Sequence, residues 1–274
     1  MINGELTGPE FERFLALIYK VAGIRIPASK KVMVSNRLRR RLRATGIGSF
    51  ESYYIHLTSL AGASEMPAFL DAITTNETYF YRDIQHYEWF GGTFLPGLAT
   101  QGRPRDKPLR VWSAACATGE EPYSLALKVF ANRLAMGGRK LTILGTDISG
   151  AALATARLAS YDARAVRLIG AEERKKAFDH DAAQQRWTLK PEVRDLVTWK
   201  LHNLLRPIAQ EPFDCIFIKN VLIYFDDESK RVVVRRLLDA LARGGYLVVG
   251  PTEGIFTMLG ELTKHKTWLY QKPA

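Results

Sequence analysis

Cysteine is nearly absent from this chain of 274 residues: only Cys116 and Cys215 occur, far apart and without a Cys or His neighbour at metal-ligand spacing. That scarcity excludes a disulfide framework and a structural zinc site. Histidine is sparse as well, and His56, His86, His180, His202 and His265 are scattered, so neither a histidine-centred hydrolase triad nor a bound metal is expected. No apolar run approaches the roughly 20 residues that cross a bilayer, and Met1 to Leu15 carries acidic residues where a secretory signal has an apolar block. The expectation is a cytoplasmic chain with no membrane insertion. Also missing is a Gly-x-Gly-x-x-Gly loop, which removes the usual cradle for a dinucleotide pyrophosphate.

Positive charge is what the chain has in excess, a formal +11, which favours an anionic partner: nucleic acid, anionic lipid or an acidic protein surface. Much of it sits early, in Lys30, Lys31, Arg37, Arg39, Arg40, Arg41 and Arg43. From Thr7 to about Ile73 the pattern is helical. Phe11, Phe14, Leu15, Ile18 and Tyr19 recur at three- and four-residue intervals behind a Thr7/Glu10 capping box. A basic helix is expected over Lys30–Ala44, with Val32, Val34, Leu38 and Leu42 as its apolar positions and Gly46 and Gly48 ending it. Two short helices should fill Phe50–Ile73, breaking near Gly62.

After Arg103 short β-branched or aromatic runs alternate with helices, the pattern of a parallel sheet wound with crossovers. Strands are expected at Leu109–Ser113, Leu141–Thr146, Val197–His202, Phe213–Ile218, Gly245–Gly250 and Thr267–Gln271, the closing pair forming an antiparallel edge hairpin. Helices are expected at Glu121–Ala135, Gly150–Ala159 and Glu228–Ala242. A polar stretch from Tyr161 to Asp195 interrupts the alternation and reads as an inserted small subdomain. The expected domains are thus a helical 1–75, a linker and cofactor-covering segment 76–108, and a sheet domain 109–274 with an insert at about 161–196.

Ligands of open α/β sheets bind at the carboxyl ends of the strands. The first such loop, Ala114 to Tyr123, packs small residues before a helix whose start carries Glu120 and Glu121. These acids either complement the helix dipole or meet a cationic ligand group, such as the ammonium or sulfonium of S-adenosylmethionine. Asp147 ends the second strand, where a carboxylate accepts ribose hydroxyls or simply caps the next helix, a task Ser149 can also perform. His202-Asn203-Leu204 and Lys219-Asn220-Val221 end the next two strands and place two amides there. Together the strand ends favour a nucleoside cofactor.

Three ordered motifs then stand out: Thr74-Thr75-Asn76-Glu77-Thr78-Tyr79-Phe80-Tyr81-Arg82; Val111-Trp112-Ser113-Ala114-Ala115 followed by Thr118-Gly119-Glu120-Glu121-Pro122-Tyr123-Ser124; and Asn220-Val221-Leu222-Ile223-Tyr224-Phe225. With Asn36-Arg37-Leu38 in the basic helix, they resemble the chemotaxis receptor methyltransferase family over nearly the whole chain. The resemblance implies an α/β, Rossmann-like S-adenosylmethionine-dependent methyltransferase sheet, a small helical N-terminal domain and an inserted small β subdomain. By position, Asn76, Thr78, Arg82, Glu121, Asp147, Asn203, Leu204, Asn220 and Val221 are implied contacts of S-adenosylmethionine, released as S-adenosylhomocysteine. Arg82 and Tyr224 are implied to face the reacting carboxylate, and Arg37, Arg40, Arg41 and Arg43 to meet the substrate. The implied partner is the cytoplasmic helical bundle of methyl-accepting receptors, not nucleic acid.

The chain departs from the family pattern in places. Lys219 stands where the family has arginine, Gly250-Pro251-Thr252-Glu253 replaces glycine-histidine-serine-glutamate, and Asp179 to Arg186 is shorter than the turn in members that dock on a receptor's terminal pentapeptide. Such tethering is therefore not implied. Two alternatives stay beside this reading. A nucleic-acid methyltransferase suits the charge, although Asn220 is followed by Val221 and Leu222 and not by an Asn-Pro-Pro-Tyr-like run; a non-catalytic cofactor-binding module suits the fold, although Arg82 and Tyr224 are intact.

Overall fold

The computed structural model describes residues 5–100, 107–134 and 136–274. Helix α1 (Gly8–Ala22) starts at a reciprocal capping box, Thr7 accepting from the Glu10 backbone and Glu10 from that of Thr7, and stops at Gly23 with φ 70°. Helix α2 (Lys31–Thr45) follows a 3-10 turn and buries Val34, Leu38 and Leu42 at four-residue spacing. Val32, expected on that apolar face, is 72% exposed, because the buried stripe starts two residues later. Helices α3 (Phe50–Thr58) and α4 (Met66–Ile73) complete a core centred on Phe14, Tyr53 and Phe69.

Within the expected linker and covering segment, Tyr87, Trp89, Phe90, Phe94 and Leu95 join the sheet domain's core. Helix α5 (Ile84–Trp89), a π-helical turn (Phe90–Phe94) and α6 (Leu95–Thr100) bring Tyr87, Trp89, Phe90 and Phe94 against Phe217, Tyr246 and Trp268. Then come β1 (Leu109–Ala114), α7 (Glu120–Asn132), β2 (Leu141–Asp147) and α8 (Gly150–Leu158). The expected change of pattern at Arg103 and helix end at Ala135 lie outside the described residues. An insert follows, holding β3 (Ser160–Tyr161), α9 (Ala171–Ala177), β4 (Phe178–Asp181), β5 (Arg186–Leu189) and α10 (Pro191–Arg194); its strands form a separate antiparallel sheet in the order β3-β5-β4. The chain closes with β6 (Val197–Leu201), β7 (Phe213–Ile218), α11 (Asp227–Ala240), β8 (Leu241–Val249), β9 (Thr263–Lys266) and β10 (Leu269–Gln271).

The main sheet has seven strands in the order β6-β2-β1-β7-β8-β10-β9, parallel from β6 to β8. Alternate residues enter opposite cores: Val111, Cys215, Phe217 and Val248 pack on one side, Trp112, Ile216, Ile218, Leu247 and Val249 on the other. Both faces are covered, which is why these strands read as continuous apolar runs. Strand β10 pairs antiparallel with β8, and β9 adds an outer edge beyond it. The expected two-strand edge lacked β9, whose four residues, Thr263 to Lys266, are all exposed and polar and so give no apolar alternation to read.

Candidate functional site

The parallel order reverses between β1 and β7, so the loops after β1, β2, β6 and β7 open on one cleft. After β1 the backbone turns through the left-handed region at Ala115, Ala117 and Gly119, with φ of 58°, 50° and 96°. Gly119 has a second constraint: a Cβ there would lie 2.8 Å from the Ala156 Cβ and 2.9 Å from the Trp199 ring. The loop is tied to its neighbour by Asp147, whose carboxylate accepts from the Ala117 N–H at 2.8 Å and the Ser149 N–H at 2.9 Å. Burial pushes the Asp147 carboxyl up, against the pull of those N–H groups. Ser149 caps α8 through the Ala152 N–H at 3.0 Å, so capping falls to the serine.

The two acids at the start of α7 part company. Glu121 lines the cleft, accepts from the Ser113 hydroxyl at 2.8 Å and lies 3.6 Å from the Lys219 ammonium. Glu120 is buried away from the cleft and accepts from the Thr118 hydroxyl at 2.7 Å. Burial raises both carboxyls above the usual range.

At the end of β7, Asn220 sits at φ 60°, and the turn it opens is held by Glu253. This fully buried carboxylate accepts from the backbone N–H of Asn220, of Val221 at 3.2 Å and of Leu222 at 2.7 Å. Gly250 leaves it room, since a Cβ there would stand 2.4 Å from the Glu253 Oε1. The glutamate that closes the departing Gly250–Glu253 run thus shapes the loop from behind, a role that the sequence did not disclose. The Asn220 Oδ1 is buried with no hydrogen-bond partner. Asn203, after β6, donates to the Val21 carbonyl at 2.7 Å and accepts from Leu205 N–H at 3.0 Å, joining the sheet to the end of α1.

The helical domain supplies the opposite wall. Ile24 and Phe225 form an antiparallel bridge, and the Arg25 N–H donates to the Tyr224 carbonyl at 2.7 Å. Arg37 donates to the carbonyls of Ile73 and, at 3.2 Å, Thr74, and to the Thr75 hydroxyl at 3.0 Å, bracing the strip that leads to Asn76 and Thr78. Arg82 donates to the Glu77 carbonyl at 3.2 Å and lies beside the Tyr79 ring. Tyr224, 38% exposed, stands at the mouth.

The basic helix divides. Arg40 and Arg43 are exposed. Arg41, expected among the substrate-facing arginines, instead forms a two-point ion pair with Glu65 at 2.8 Å, and Tyr53 donates to the same carboxylate at 2.7 Å. Its guanidinium is committed inside the helical domain, and Arg37 is committed to the covering strip.

The resulting cleft has a volume of ≈ 420 Å³, within the range of about 300 to 1,000 Å³ usual for small-molecule sites. Asn76, Thr78, Arg82, Glu121, Asp147, Asn203, Leu204, Asn220, Val221 and Tyr224 all line it. The ligating groups suit S-adenosylmethionine: carboxylates at Glu121 and Asp147 for ammonium and hydroxyl groups, and the unpartnered Asn220 oxygen for an amine. Among the described residues no group of three His, Cys, Asp or Glu is placed to hold a metal ion, and no helix is long and apolar enough to cross a membrane.

Comparison with known proteins follows the same division of the chain. The family described as "CheR methyltransferase, all-alpha domain" matches residues 9–74, and "CheR methyltransferase, SAM binding domain" matches residues 76–269. Chemotaxis protein methyltransferase 1 of Pseudomonas aeruginosa is 36% identical over 252 residues, covering 90% of this chain and 90% of that protein. Chemotaxis protein methyltransferase of Salmonella typhimurium is 33% identical over 269 residues, 97% of this chain and 90% of its own length. That of Escherichia coli is 33% identical over 266 residues, with 93% and 90% covered. With both family domains matched in order along most of its length, the chain belongs to the CheR methyltransferase family.

Proposed function

We propose that this protein methylates glutamate side chains of chemotaxis receptors, giving glutamate methyl esters, and works in the cytoplasm on the receptors' helical bundle. The observation that carries the reading is one cleft lined together by Asn76, Thr78 and Arg82 of the covering segment, by Glu121, Asp147, Asn203, Leu204, Asn220 and Val221 at or after the strand ends, and by Tyr224.

S-adenosylmethionine, when bound, supplies a methyl group on a cationic sulfur. Asn76, Thr78, Glu121, Asp147, Asn203, Leu204, Asn220 and Val221 would hold it. A glutamate side chain, with an ordinary pKa near about 4.3, is already ionised at neutral pH and needs no general base. The remaining task is alignment, with reacting atoms at about 3 to 3.5 Å, in a partly dry site. Arg82 orients the carboxylate by charge-assisted hydrogen bonds, and the Tyr224 hydroxyl donates another while leaving the nucleophile charged. Arg40 and Arg43, exposed on α2, meet acidic side chains of the receptor bundle.

The test is to incubate the protein with methyl-labelled S-adenosylmethionine and either receptor-bearing membranes or RNA. Label in receptor protein that is released by mild base is expected. Base-stable label, or label in RNA alone, would overturn the assignment.

A further inference from the structure

The residue after β7 is Lys219, and it is the cation of a buried cluster. The Lys219 side chain is 2% exposed, and its ammonium lies 3.5 Å from the Asp83 Oδ2 and 3.6 Å from the Glu121 Oε2. It donates to the Arg82 carbonyl at 2.5 Å and to the Tyr87 hydroxyl at 3.3 Å. One side chain therefore spans the end of β7, the first turn of α7 and the turn before α5, where Tyr81 and Asp83 both sit near φ 60°. An ammonium has three donors on a flexible stem, which suits divergent partners better than a planar fork does.

The charge count has a consequence. Asp83 and Glu121 bring two carboxylates to one ammonium, and His86 adds no charge, being held down to about 3 by burial and then by Lys219. Two carboxylates thus share the one Lys219 ammonium, and Glu121 carries unbalanced negative charge to the cleft wall, where a cationic ligand would offset it.

We propose that Lys219 is a positioning residue for methyl transfer: it keeps the Glu121 carboxylate charged and aimed into the cleft, and anchors the backbone of Arg82 at the mouth. The inference rests on the cofactor reading above. Glu121 touches the Ser113 hydroxyl from β1 and lies beside Lys219 after β7, and it is in the electrostatic reach of Asp83 and Tyr87 from the α5 region, Cys116 from the loop after β1 and Glu253 from the loop after β8. Among them Lys219 is the cation, opposing both burial and the negative neighbours.

The experiment is calorimetric titration with S-adenosylhomocysteine across pH for wild type, Lys219→Met, Lys219→Arg and Glu121→Gln. Wild type should bind, with affinity falling on the acid side as Glu121 takes up a proton. In Lys219→Met that fall should move to higher pH by about one unit or more, with affinity recovering above it. Lys219→Arg keeps the positive charge, so its acid-side fall should lie nearer to that of wild type than to that of Lys219→Met. Glu121→Gln should lose the part of the acid-side fall that Glu121 causes and keep only that of Asp147, which keeps the test valid if Lys219→Met does not fold. A wild-type pH profile in Lys219→Met, or an unchanged acid-side fall in Glu121→Gln, would overturn the proposal alone. Absence of binding by wild type would remove the cofactor reading and the proposal together.

Discussion

The two walls of the cleft are built from the same chain but held by different means. On the sheet side, Asp147 and Glu253 turn buried carboxylates toward backbone N–H groups and lock the loops after β1, β2 and β7. On the helical side, a few separate contacts suffice: Arg37 on the strip from Ile73 to Thr75, Asn203 on Val21, and Arg25 on Tyr224. A buried donor stripped of its acceptor costs about 1 to 3 kcal/mol, whereas an ordinary hydrogen bond nets about 0.5 to 1.5 kcal/mol. The sheet wall is thus held from within by buried carboxylates, while the helical wall meets it through single hydrogen bonds such as those of Asn203, Arg25 and Ala151.

The contrast breaks most sharply at Glu253. Glu253→Ala leaves the N–H groups of Asn220, Val221 and Leu222 without an acceptor, so stability in urea should fall by about 3 kcal/mol or more, and S-adenosylhomocysteine binding with it. An unchanged urea midpoint would show that the wall does not depend on this carboxylate. Asp147→Ala should be next, weakening S-adenosylhomocysteine by about 1 to 3 kcal/mol, or roughly five- to 150-fold, in calorimetry.

On the helical wall the effects should be smaller and divided between ligands. Arg37→Ala should cost about 0.5 to 1.5 kcal/mol in cofactor affinity, because it releases the strip carrying Asn76 and Thr78. Arg40→Glu with Arg43→Glu should leave that affinity unchanged and raise KM for receptor. Wild-type methylation should slow as salt rises and the Debye length shrinks from about 10 Å at 0.1 M to about 3 Å at 1 M. Equal receptor kinetics for this double variant and wild type at low salt would return these arginines to plain surface charge.

The smallest effect sharpens the difference between the paired acids of α7. Burial raises the folded-state Glu120 carboxyl above its unfolded value, so the stability this group allows is greatest when it is protonated and declines as pH rises through the folded value. Glu120→Gln mimics the protonated form and keeps an acceptor for the Thr118 hydroxyl. Its melting temperature should exceed wild type near neutral pH, and the gap should close as pH falls toward the ordinary carboxylate range of about 4.3. A gap that stays constant with pH would separate it from ionisation.

How much of this was legible in the sequence depended on range. Strand ends could be read because β-branched runs stop at Asp147, Asn203 and Asn220, and the helical domain because Phe11, Phe14 and Ile18 keep helical spacing. The ion pair of Arg41 could not be read because its partner Glu65 lies 24 residues away, beyond α3, and a paired arginine looks like a free one in sequence. The Glu253 carboxylate meets Asn220 from 33 residues away, and Lys219 reaches the Arg82 carbonyl from 137. Such pairings are fixed by sheet order and leave no local pattern. The edge strand β9 was missed for the opposite reason: it is local, but it has no buried side to leave an apolar mark.

The bridge between Ile24 and Phe225, with the Tyr224 carbonyl taken by Arg25, has a thermodynamic consequence. The backbone of the tyrosine proposed to meet substrate is fastened to the segment that ends α1, so a partner gripping the helical domain and a small molecule seated against the strand ends act on one shared joint. Their affinities are then reciprocal: whatever factor the small molecule adds to partner binding, the partner must return in equal measure to the small molecule. Amide hydrogen exchange at Arg25 is a direct gauge of that joint, since its protection would deepen with either ligand and deepen furthest with both.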